Sequence, residues 1–523
     1  MPGAMSQTTR FNMLDFDKLQ TPPDDGAILI EPLPAEWPRL LDENRRRSKQ
    51  HDIRLAGIPL ATVRQLTRRR FTETDIDRPV IAAGHQPSFV HPGVWAKHVV
   101  VRHMADKHQA IGVDFVVDND APASSTLQVP FVGPDTLLTL QDVPFSHGPM
   151  GSAYEGQPPL DDAQLAEMRR DLSQKLGLIW EQSLMASYME GLASAPKTSD
   201  VVEQYWAGRK PIDVRFGADL TETRVSKVFG GPFLAELLLR ADAFAASYNE
   251  ALAEYRHHER IRTANRPLPD LQTDGGEIET ALWIYRPMER RRRLWIERQA
   301  DQLLCYADHV RVGVIGIKEL TRDPDRAVAM LCPWLVRPRA LTLTLWARLL
   351  ACDLFVHGIG GAQYDRITDG IFKRFFAYDP PAYTCISATL RMPLPRRAVS
   401  LGDGAVARHR VRDFRYNPQR YLSDAPKEWL NEREDLIRDS QRLRAASGSR
   451  AGRRQVFLGI RQINARIARW RPEIADELVH RWQQIEQQIQ SNHLADSREY
   501  FYILQPHKRL EALASRLREI MDR

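Results

Sequence analysis

Residues 79–120 read PVIAAGHQPSFVHPGVWAKHVVVRHMADKHQAIGVDFVVDND, and this stretch decides the fold. It contains an apolar run from Val80 to Ala83, a polar turn through Gly84–Gln86, a helical pattern and a second apolar run from Val113 to Val117. A strand, a helix and a strand in this order form a βαβ unit, in which the two strands are parallel. The stretch therefore predicts an α/β protein with a parallel sheet.

Polar residues follow both strands of this unit. The first strand ends in Gly84–Gln86, and the second is followed by Asp118 and Asp120. Because ligands of parallel sheets bind beyond the carboxyl ends of the strands, we expect both groups to border one site. There His85 and His91 would stabilise developing negative charge, and Asp118 and Asp120 would orient an amine or hydroxyl or act as general base. These four are the candidate catalytic residues.

A metal site is an alternative interpretation of the histidines in this stretch. His85, His91 and His98 lie close in sequence to the two aspartates, and such side chains bind zinc or iron. Their spacings of six and seven residues do not match a helical i, i+4 metal pair. A site for a phosphate or carboxylate therefore fits better, and no metal ligand is predicted.

A second strand, glycine turn and helix occur later in the chain, at Asp353–Val356, His357–Gly361 and Ala362–Phe376. Backbone N–H groups at such a helix start suit phosphate or carboxylate, although glycines also permit close packing of a helix on a strand. The candidate substrate- or nucleotide-binding residues of both halves are Gly84, Gln86, Gly93, Lys97, Arg339, His357, Gly358, Gly360, Gly361 and Tyr364.

The chain divides into five predicted regions. They are an N-terminal helical extension (1–78), the first half of the sheet domain (79–150), a mostly helical connecting region with a β-hairpin (151–330), the second half of the sheet domain (331–400), and a linker followed by C-terminal helices (401–523). The polar composition of 403–424 predicts a loop. In the tail, Val456, Ile460, Ile463, Ile467 and Trp470 step 4-3-4-3, which predicts a coiled coil that forms a homodimer, or helices packed on the same core.

The charge pattern is mildly basic. The 523 residues carry a formal net charge of +6, and arginines cluster at 45–47, 68–70 and 290–293. Because acids nearly balance the bases, we interpret these clusters as solvated helix faces rather than a nucleic-acid surface. A small polar or anionic substrate explains the same excess.

The composition also bears on compartment. The longest apolar stretches, such as 327–336, are far shorter than a membrane span, and the N-terminus lacks the apolar segment of a secretory signal. The four cysteines are widely spaced and suggest no disulfide framework. We therefore expect a cytoplasmic protein without a membrane partner.

Several motifs resemble one enzyme family. GHQPSFVHPGVWAKH (84–98) followed by FVVDND (115–120) resembles the N-terminal motif of the bacillithiol-biosynthesis cysteine-adding enzymes. LVRPRALTLTLW (335–346), DLFVHGIGGAQYD (353–365) and PPAYTCISATL (380–390) are similar to that family's later motifs. The GHQP opening is also similar, over a shorter stretch, to the WbqC-like family.

The resemblance implies a Rossmann-like core of the class I synthetase and nucleotidylyltransferase type, with a coiled coil that dimerises. It also implies a ligase-like reaction that joins cysteine to the amine of a glucosaminyl malate, with ATP or ADP as candidate cofactors. The positions that match the family motifs are Gln86, Pro87, Gly93, Lys97, Gly358, Gly360 and Tyr364.

Three positions depart from the family pattern. The second strand ends in Asp118–Ala121 without the family's histidine, Gly361 replaces a glutamate, and Trp95 replaces a tyrosine. These departures predict a retained site with a changed substrate. We therefore expect an enzyme that condenses cysteine or another amino acid with a small amine-bearing, amino-sugar-like molecule. The alternative is a non-catalytic nucleotide-binding scaffold with a coiled-coil interaction arm.

Overall fold

The computed structural model of the chain describes residues 14–72, 77–87, 89–145, 148–196, 199–263, 265–446 and 449–523. Its strands are β1 (Ile28–Glu31), β2 (Arg54–Leu55), β3 (Ile58–Pro59), β4 (Val80–His85), β5 (Ile111–Val116), β6 (Thr126–Val132), β7 (Leu138–Pro144), β8 (Thr221–Arg224), β9 (Thr273–Asp274), β10 (Glu277–Tyr285), β11 (Arg292–Gln299), β12 (Gln302–Ala307), β13 (Val310–Gly316), β14 (Leu335–Pro338), β15 (Leu354–His357) and β16 (Tyr383–Ala388).

The helices are named in the same way. They are α1 (Trp37–Gln50), α2 (Leu60–Arg68), α3 (Pro92–Lys107), α4 (Asp162–Leu176), α5 (Leu178–Gln182), α6 (Met185–Ala193), α7 (Val201–Phe216), α8 (Val225–Val228), α9 (Gly231–Leu239), α10 (Ala241–His258), α11 (Ile317–Arg322), α12 (Pro324–Ala329), α13 (Ala340–Trp346), α14 (Ile359–Phe375), α15 (Leu401–Tyr416), α16 (Lys427–Ala445), α17 (Arg450–Ala468), α18 (Pro472–Asp496) and α19 (His507–Asp522). Among the described residues, no helix combines the length and apolar character needed to cross a membrane.

The chain folds into two compact units. The first comprises residues up to Val129, Asp142–Met392 and Arg498–Arg523, and the second comprises Pro130–Gln141 and Pro393–Ser497. Within the first unit, a six-stranded sheet has the order β1-β16-β15-β4-β5-β8. All neighbours in it are parallel except β1, which pairs antiparallel with β16. The predicted α/β class with a parallel sheet is confirmed.

The centre of this sheet is buried on both faces. Val80 and Ala82 of β4 belong to the main hydrophobic core, and the alternate residues Ile81 and Ala83 are also fully buried. Side chains of successive strand residues point to opposite faces, so both faces must be covered. Helix α3 packs against β4 and β5 on one of them.

The strand order creates a crevice at one edge of the sheet. Strand β5 lies on one side of β4, whereas β15, which comes much later in the chain, lies on its other side. Helices α3 and α14 therefore leave β4 and β15 in different directions. Such a reversal point beyond the carboxyl ends of the strands is where α/β sheets bind ligands.

A second sheet forms a wall near this crevice. It is antiparallel, with the order β13-β12-β11-β10-β14, and β9 also pairs with β10. Strands β10 and β11 pair antiparallel and correspond to the β-hairpin predicted within 151–330. The sequence did not predict that three further main strands would extend this hairpin into a sheet.

The N-terminal region contributes more than helices. Helices α1 and α2 form as predicted, and β1 adds an edge strand to the parallel sheet, with Leu29 opposite Ser387. Residues 1–13 and 73–76 of the predicted extension lie outside the described residues.

A buried carboxylate attaches α2 to the sheet. Asp353 Oδ1 accepts hydrogen bonds from Arg64 Nη2 and Arg68 Nη2, both at 2.7 Å, and its Oδ2 accepts from the Val80 N–H at 2.9 Å. The guanidinium groups hold the pKa of this carboxyl below its ordinary value, although burial opposes them.

The second unit is helical apart from residues 130–141, which belong to the paired strands β6 and β7 and the turn between them. Helix α16 packs on α17, and α15 packs on α18. Ile463 and Ile467, two of the residues with 4-3 spacing, are buried there, whereas Trp470 is 45% exposed. The last helix, α19, belongs instead to the first unit, where it packs on α3.

The loop predicted from the polar residues 403–424 is wrong for its first part, which is helix α15. Ser400 caps this helix, because its hydroxyl accepts from the Asp403 N–H while the Asp403 carboxylate accepts from the Ser400 N–H. Helix α15 buries Ala407 and Phe414. Two buried apolar residues in a 16-residue helix are too few to show a helical period in the sequence.

Candidate functional site

A cavity of about 710 Å³ lies at the carboxyl ends of β4 and β15. We call it the strand-end cavity. Its walls come from the ends of β4, β5 and β15, from α10, α13 and α14, and from β10, β11 and β14 of the second sheet. The lining residues include Gly84, His85, Gln86, Phe115, Asn119, Asp120, Tyr248, Trp283, Arg291, Arg293, Arg339, Thr342, Thr344, Phe355, His357 and Gly361.

The structure brings together half of the residues that the sequence nominated. Those that line the strand-end cavity are Gly84, His85, Gln86, Asp120, Arg339, His357 and Gly361. The remaining seven do not line the cavity, and their contacts are described below: His91, Gly93, Lys97, Asp118, Gly358, Gly360 and Tyr364. The three chain segments around residues 85, 120 and 360 thus border one cavity.

His85 is a neutral imidazole at the end of β4. Burial and the nearby Lys97 ammonium lower its pKa to about 4. Its Nδ1 lies 3.1 Å from the Gln86 carbonyl oxygen, which can only accept, so Nδ1 carries the proton and donates. Nε2 is therefore left as a proton acceptor, as a general base requires.

His91 is engaged in structure rather than in the cavity wall. It is the N-cap of α3, and its Nδ1 accepts a hydrogen bond from the Gly93 N–H at 3.0 Å. Burial and Arg498 lower the pKa of His91 to about 3, so it stays neutral and keeps its acceptor. A β-carbon at Gly93 would lie 2.5 Å from the Ala388 carbonyl oxygen, which explains the glycine there.

The two aspartates after β5 have different surroundings. Asp118 is fully buried, and its carboxylate accepts from Arg224 Nε at 2.8 Å, from the Ser226 N–H at 2.9 Å and from the Ser226 hydroxyl. Asp120 lines the strand-end cavity, where it accepts from Gln86 and pairs with Arg291. Asp118 therefore anchors β8 and the start of α8, and Asp120 is the aspartate that a ligand can reach.

Lys97 lies beneath the β4 turn. Its ammonium is buried and donates to the Gly84 carbonyl oxygen at 3.0 Å. Burial lowers the pKa of Lys97 to about 8, with Asp114 opposing the shift. Lys97, a predicted substrate- or nucleotide-binding residue, thus supports the backbone of the cavity wall instead of lining the cavity.

His357 enters the cavity from the end of β15. Its Nε2 lies 3.0 Å from Asp365 Oδ2, which also accepts from Arg348 Nη1 at 2.6 Å. Burial lowers the pKa of His357, and Asp365 opposes this. Because a β-carbon at Gly361 would lie 2.8 Å from His357 Nδ1, this glycine leaves room for the imidazole.

The remaining residues of the glycine turn lie beside the cavity. Gly358 is the N-cap of α14, and a β-carbon at Gly360 would meet no atom within 4 Å. Tyr364 is 46% exposed and packs edge-on against Tyr255, with ring centres 6.4 Å apart.

Three arginines line the cavity. Arg339 was expected there, but Arg291 and Arg293 were interpreted as part of a solvated helix face, which is wrong for this cluster. The 290–293 run instead leads into strand β11. The guanidinium groups of Arg291 and Arg339 lie 5.0 and 4.9 Å from the centre of the Trp283 ring.

The cavity carries an excess of positive charge. Buried Glu279 pairs with Arg293 at 3.2 Å and with Arg339 at 2.7 Å, and Asp120 pairs with Arg291. Three guanidinium groups thus face two carboxylates, which leaves one positive charge in excess. A phosphate or carboxylate would compensate it.

Acceptors lie beside Arg291 in the same wall, since this arginine contacts both Asn119 and Asp120. Asn119 Nδ2 donates to the Pro338 carbonyl oxygen at 2.9 Å, while its buried Oδ1 has no hydrogen-bond partner among the described residues. Together with Asp120 it offers oxygen atoms to an amine. The cavity therefore presents cations for an anionic group and oxygens for an ammonium or amine.

Among the described residues, no group of three or more His, Cys, Asp or Glu side chains is placed to hold a metal ion. No protein-family model matches the sequence, and no curated protein matches it.

Proposed function

We propose that this chain is a ligase-like enzyme that condenses cysteine or another amino acid with a small amine-bearing, amino-sugar-like substrate in the strand-end cavity. One observation carries the proposal: residues from three separate strand ends, His85, Asp120 and His357, share one cavity with a surplus of arginine. The motif resemblance to the cysteine-adding enzymes supports the choice of reaction.

The chemistry follows from the groups present. The amine nitrogen attacks the carboxyl carbon of the amino acid, a carbon–nitrogen bond forms, and the carbon–oxygen bond of the activated carboxyl breaks. For this, the carboxylate oxygen first attacks a phosphorus atom of ATP, so that an oxygen–phosphorus bond forms, a phosphoanhydride bond breaks and ADP or pyrophosphate leaves. The carboxyl oxygen then departs with the phosphoryl or adenylyl group, which is the role we propose for ATP. Neutral His85 accepts the amine proton, and Arg291 and Arg339 stabilise the negative charge that develops.

The proposal includes a finer description of the fold. We propose that the parallel sheet is a Rossmann-like core of the class I synthetase and nucleotidylyltransferase type. The helices α15–α18 would form a coiled-coil arm through which two copies dimerise. Sedimentation equilibrium of the full chain tests the dimer, and a monomer at about 50 µM, roughly 50 times a Kd of 1 µM, would contradict it.

Ligand binding is tested by calorimetry with ATP, ADP and cysteine on matched variants. Arg291 lines the cavity, whereas neighbouring Arg290 is exposed, so Arg291→Ala and Arg290→Ala remove the same charge from two environments. A charge-assisted hydrogen bond contributes about 1.5–3 kcal/mol, so we expect Arg291→Ala to weaken binding about tenfold or more. Arg290→Ala should bind like the wild type.

Catalysis is tested by mass spectrometry of reaction mixtures with wild type and His85→Ala. Condensation requires a new amide product that depends on His85. Nucleotide binding without any product would favour the alternative, a non-catalytic scaffold whose helical arm recruits partners. Absence of binding of all three compounds would contradict both functions.

A further inference from the structure

A second cavity, of about 520 Å³, lies at the other end of strand β5. We call it the acidic cavity. Ile111 and Gly112 at the start of β5 line it, whereas Asn119 and Asp120, after the end of β5, line the strand-end cavity. The other walls come from α3, α7 and β8. The titratable lining residues are Arg78, His98, Arg102, Asp106, Asp114, Lys210, Asp213, Asp219 and Glu222.

Charges at the rim are largely neutralised by one another. Arg102 Nε donates to Asp106 and Arg102 Nη1 donates to Asp219, both at 2.9 Å. Arg78 donates to two backbone carbonyl oxygens, at 3.1 and 3.0 Å. The rim therefore adds little net attraction for an anion.

Two interior carboxyls are each held through one oxygen. Asp213 Oδ1 accepts from Trp95 Nε1 and from the Tyr502 hydroxyl, both at 2.9 Å. Glu222 Oε1 accepts from buried Arg209 at 2.7 Å. Their second oxygens are the ones available to a donor from the cavity.

Asp114 has no such internal donor. It is 3% exposed, and its Oδ1 makes no hydrogen bond with any described residue. Its Oδ2 lies 3.5 Å from His98 Nε2, which is equally buried and also lacks a hydrogen bond. A buried polar atom left unsatisfied costs about 1–3 kcal/mol, so a donor that enters the cavity would recover this energy.

The electrostatics favour a cationic donor. Burial raises the pKa of Glu222 to about 8, and it also raises the pKa values of Asp114 and Asp213. Buried Arg209 opposes all three shifts, Lys97 opposes that of Asp114 and Lys210 opposes that of Glu222, but burial outweighs these cations. Carboxyls in this position gain from a positive charge placed among them. The cavity volume of about 520 Å³ leaves room for a small organic cation.

We propose that the acidic cavity binds a small organic diamine, whose two ammonium groups together donate to Asp114, Asp213 and Glu222. Each ammonium carries three donors, so two of them can reach separated carboxyls. This site is distinct from the strand-end cavity, and its ligand need not take part in the proposed condensation.

Calorimetry of the full chain with putrescine as the probe tests the proposal. We expect saturable binding with one putrescine per chain. Asp114→Asn keeps the shape of the side chain but removes its charge, and we expect it to weaken binding about tenfold, because a hydrogen bond to a charged group is lost. Asp435→Asn, which lies outside the cavity and has a side chain 66% exposed in the wild type, is the control and should bind within about twofold, because exposed charges contribute little.

Asp213→Asn provides a second test if Asp114→Asn fails to fold. It retains the Oδ1 acceptor for Trp95 and Tyr502, so we expect a native circular dichroism spectrum together with weakened putrescine binding. Absence of saturable binding to the wild type, or equal binding to the folded variants, would overturn the proposal. Saturable binding of Mg²⁺ alone that depends on Asp114, without binding of putrescine, would also overturn it.

Discussion

The network behind His357 permits a quantitative prediction for Asp365→Asn. Asp365 and Arg348 side chains are each 1% exposed, and the Arg348 Nη1–Asp365 Oδ2 distance is 2.6 Å. The carboxylate also lies 3.0 Å from His357 Nε2. Although burial opposes it, Arg348 and His357 hold the pKa of Asp365 well below its ordinary range. The substitution leaves a buried guanidinium with one carboxylate fewer.

Removing one partner of a buried ion pair costs about 3–5 kcal/mol. Arg348 keeps a second ion pair with Asp369, at 2.6 Å, so we expect a loss near the lower limit, about 3 kcal/mol. Because the folded-state pKa of Asp365 is lowered, its contribution is present above the unfolded-state value. The difference between wild type and variant therefore shrinks as the pH falls below about 4.

Urea unfolding followed by tryptophan fluorescence measures this loss by linear extrapolation. Asp106→Asn, which removes an exposed carboxylate, is the control and should lose at most about 0.5 kcal/mol. A loss below about 1 kcal/mol for Asp365→Asn at pH 7 would refute the reasoning, because the pair would then be no stronger than an exposed one.

Three further substitutions have defined outcomes. His91→Ala should cost about 1 kcal/mol by loss of the α3 cap, whereas His91→Asn keeps an acceptor. Because the folded-state pKa of His91 is lowered to about 3, wild-type stability falls as pH falls from about 6.5, and urea unfolding of His91→Asn should show a smaller fall. Gly361→Ala should weaken binding of ATP, ADP or cysteine in calorimetry, because the new β-carbon would lie 2.8 Å from His357 Nδ1. In Gly360→Ala the new β-carbon would meet no atom within 4 Å, so this variant should bind like the wild type. Gly191→Ala would place a β-carbon 2.5 Å from a backbone oxygen of α7 and should cost about 1–3 kcal/mol in thermal unfolding, and an unchanged Tm would contradict this.

Local patterns predicted the parts of the site that belong to single strand–turn–helix units. The βαβ unit placed His85 and Asp120 at one edge, and the later unit placed His357 and Gly361 there. These predictions needed only strand direction, because carboxyl ends of parallel strands share an edge.

The arginines were missed because their position depends on tertiary packing. Arg291 and Arg293 reach the cavity through a separate antiparallel sheet, and no local periodicity tells where that sheet docks. A short run of arginines also occurs in both helices and strands, so the run at 290–293 did not indicate which of the two it joins. Likewise, Asp118 follows the second strand where a ligand-binding residue is expected, but its hydrogen bond with the Ser226 N–H depends on tertiary structure.

The separation into two units has a consequence for the evolution of this protein. The chain leaves the first unit at Met392 and rejoins it at Arg498, and Arg498 Nη1 donates to the Thr389 hydroxyl at 3.1 Å. The exit and return points are therefore neighbours, and all residues that line the strand-end cavity belong to the first unit. Insertions and deletions within 393–497 can accumulate without moving the cavity walls, so the helical second unit and the strand-end cavity are free to diverge at different rates.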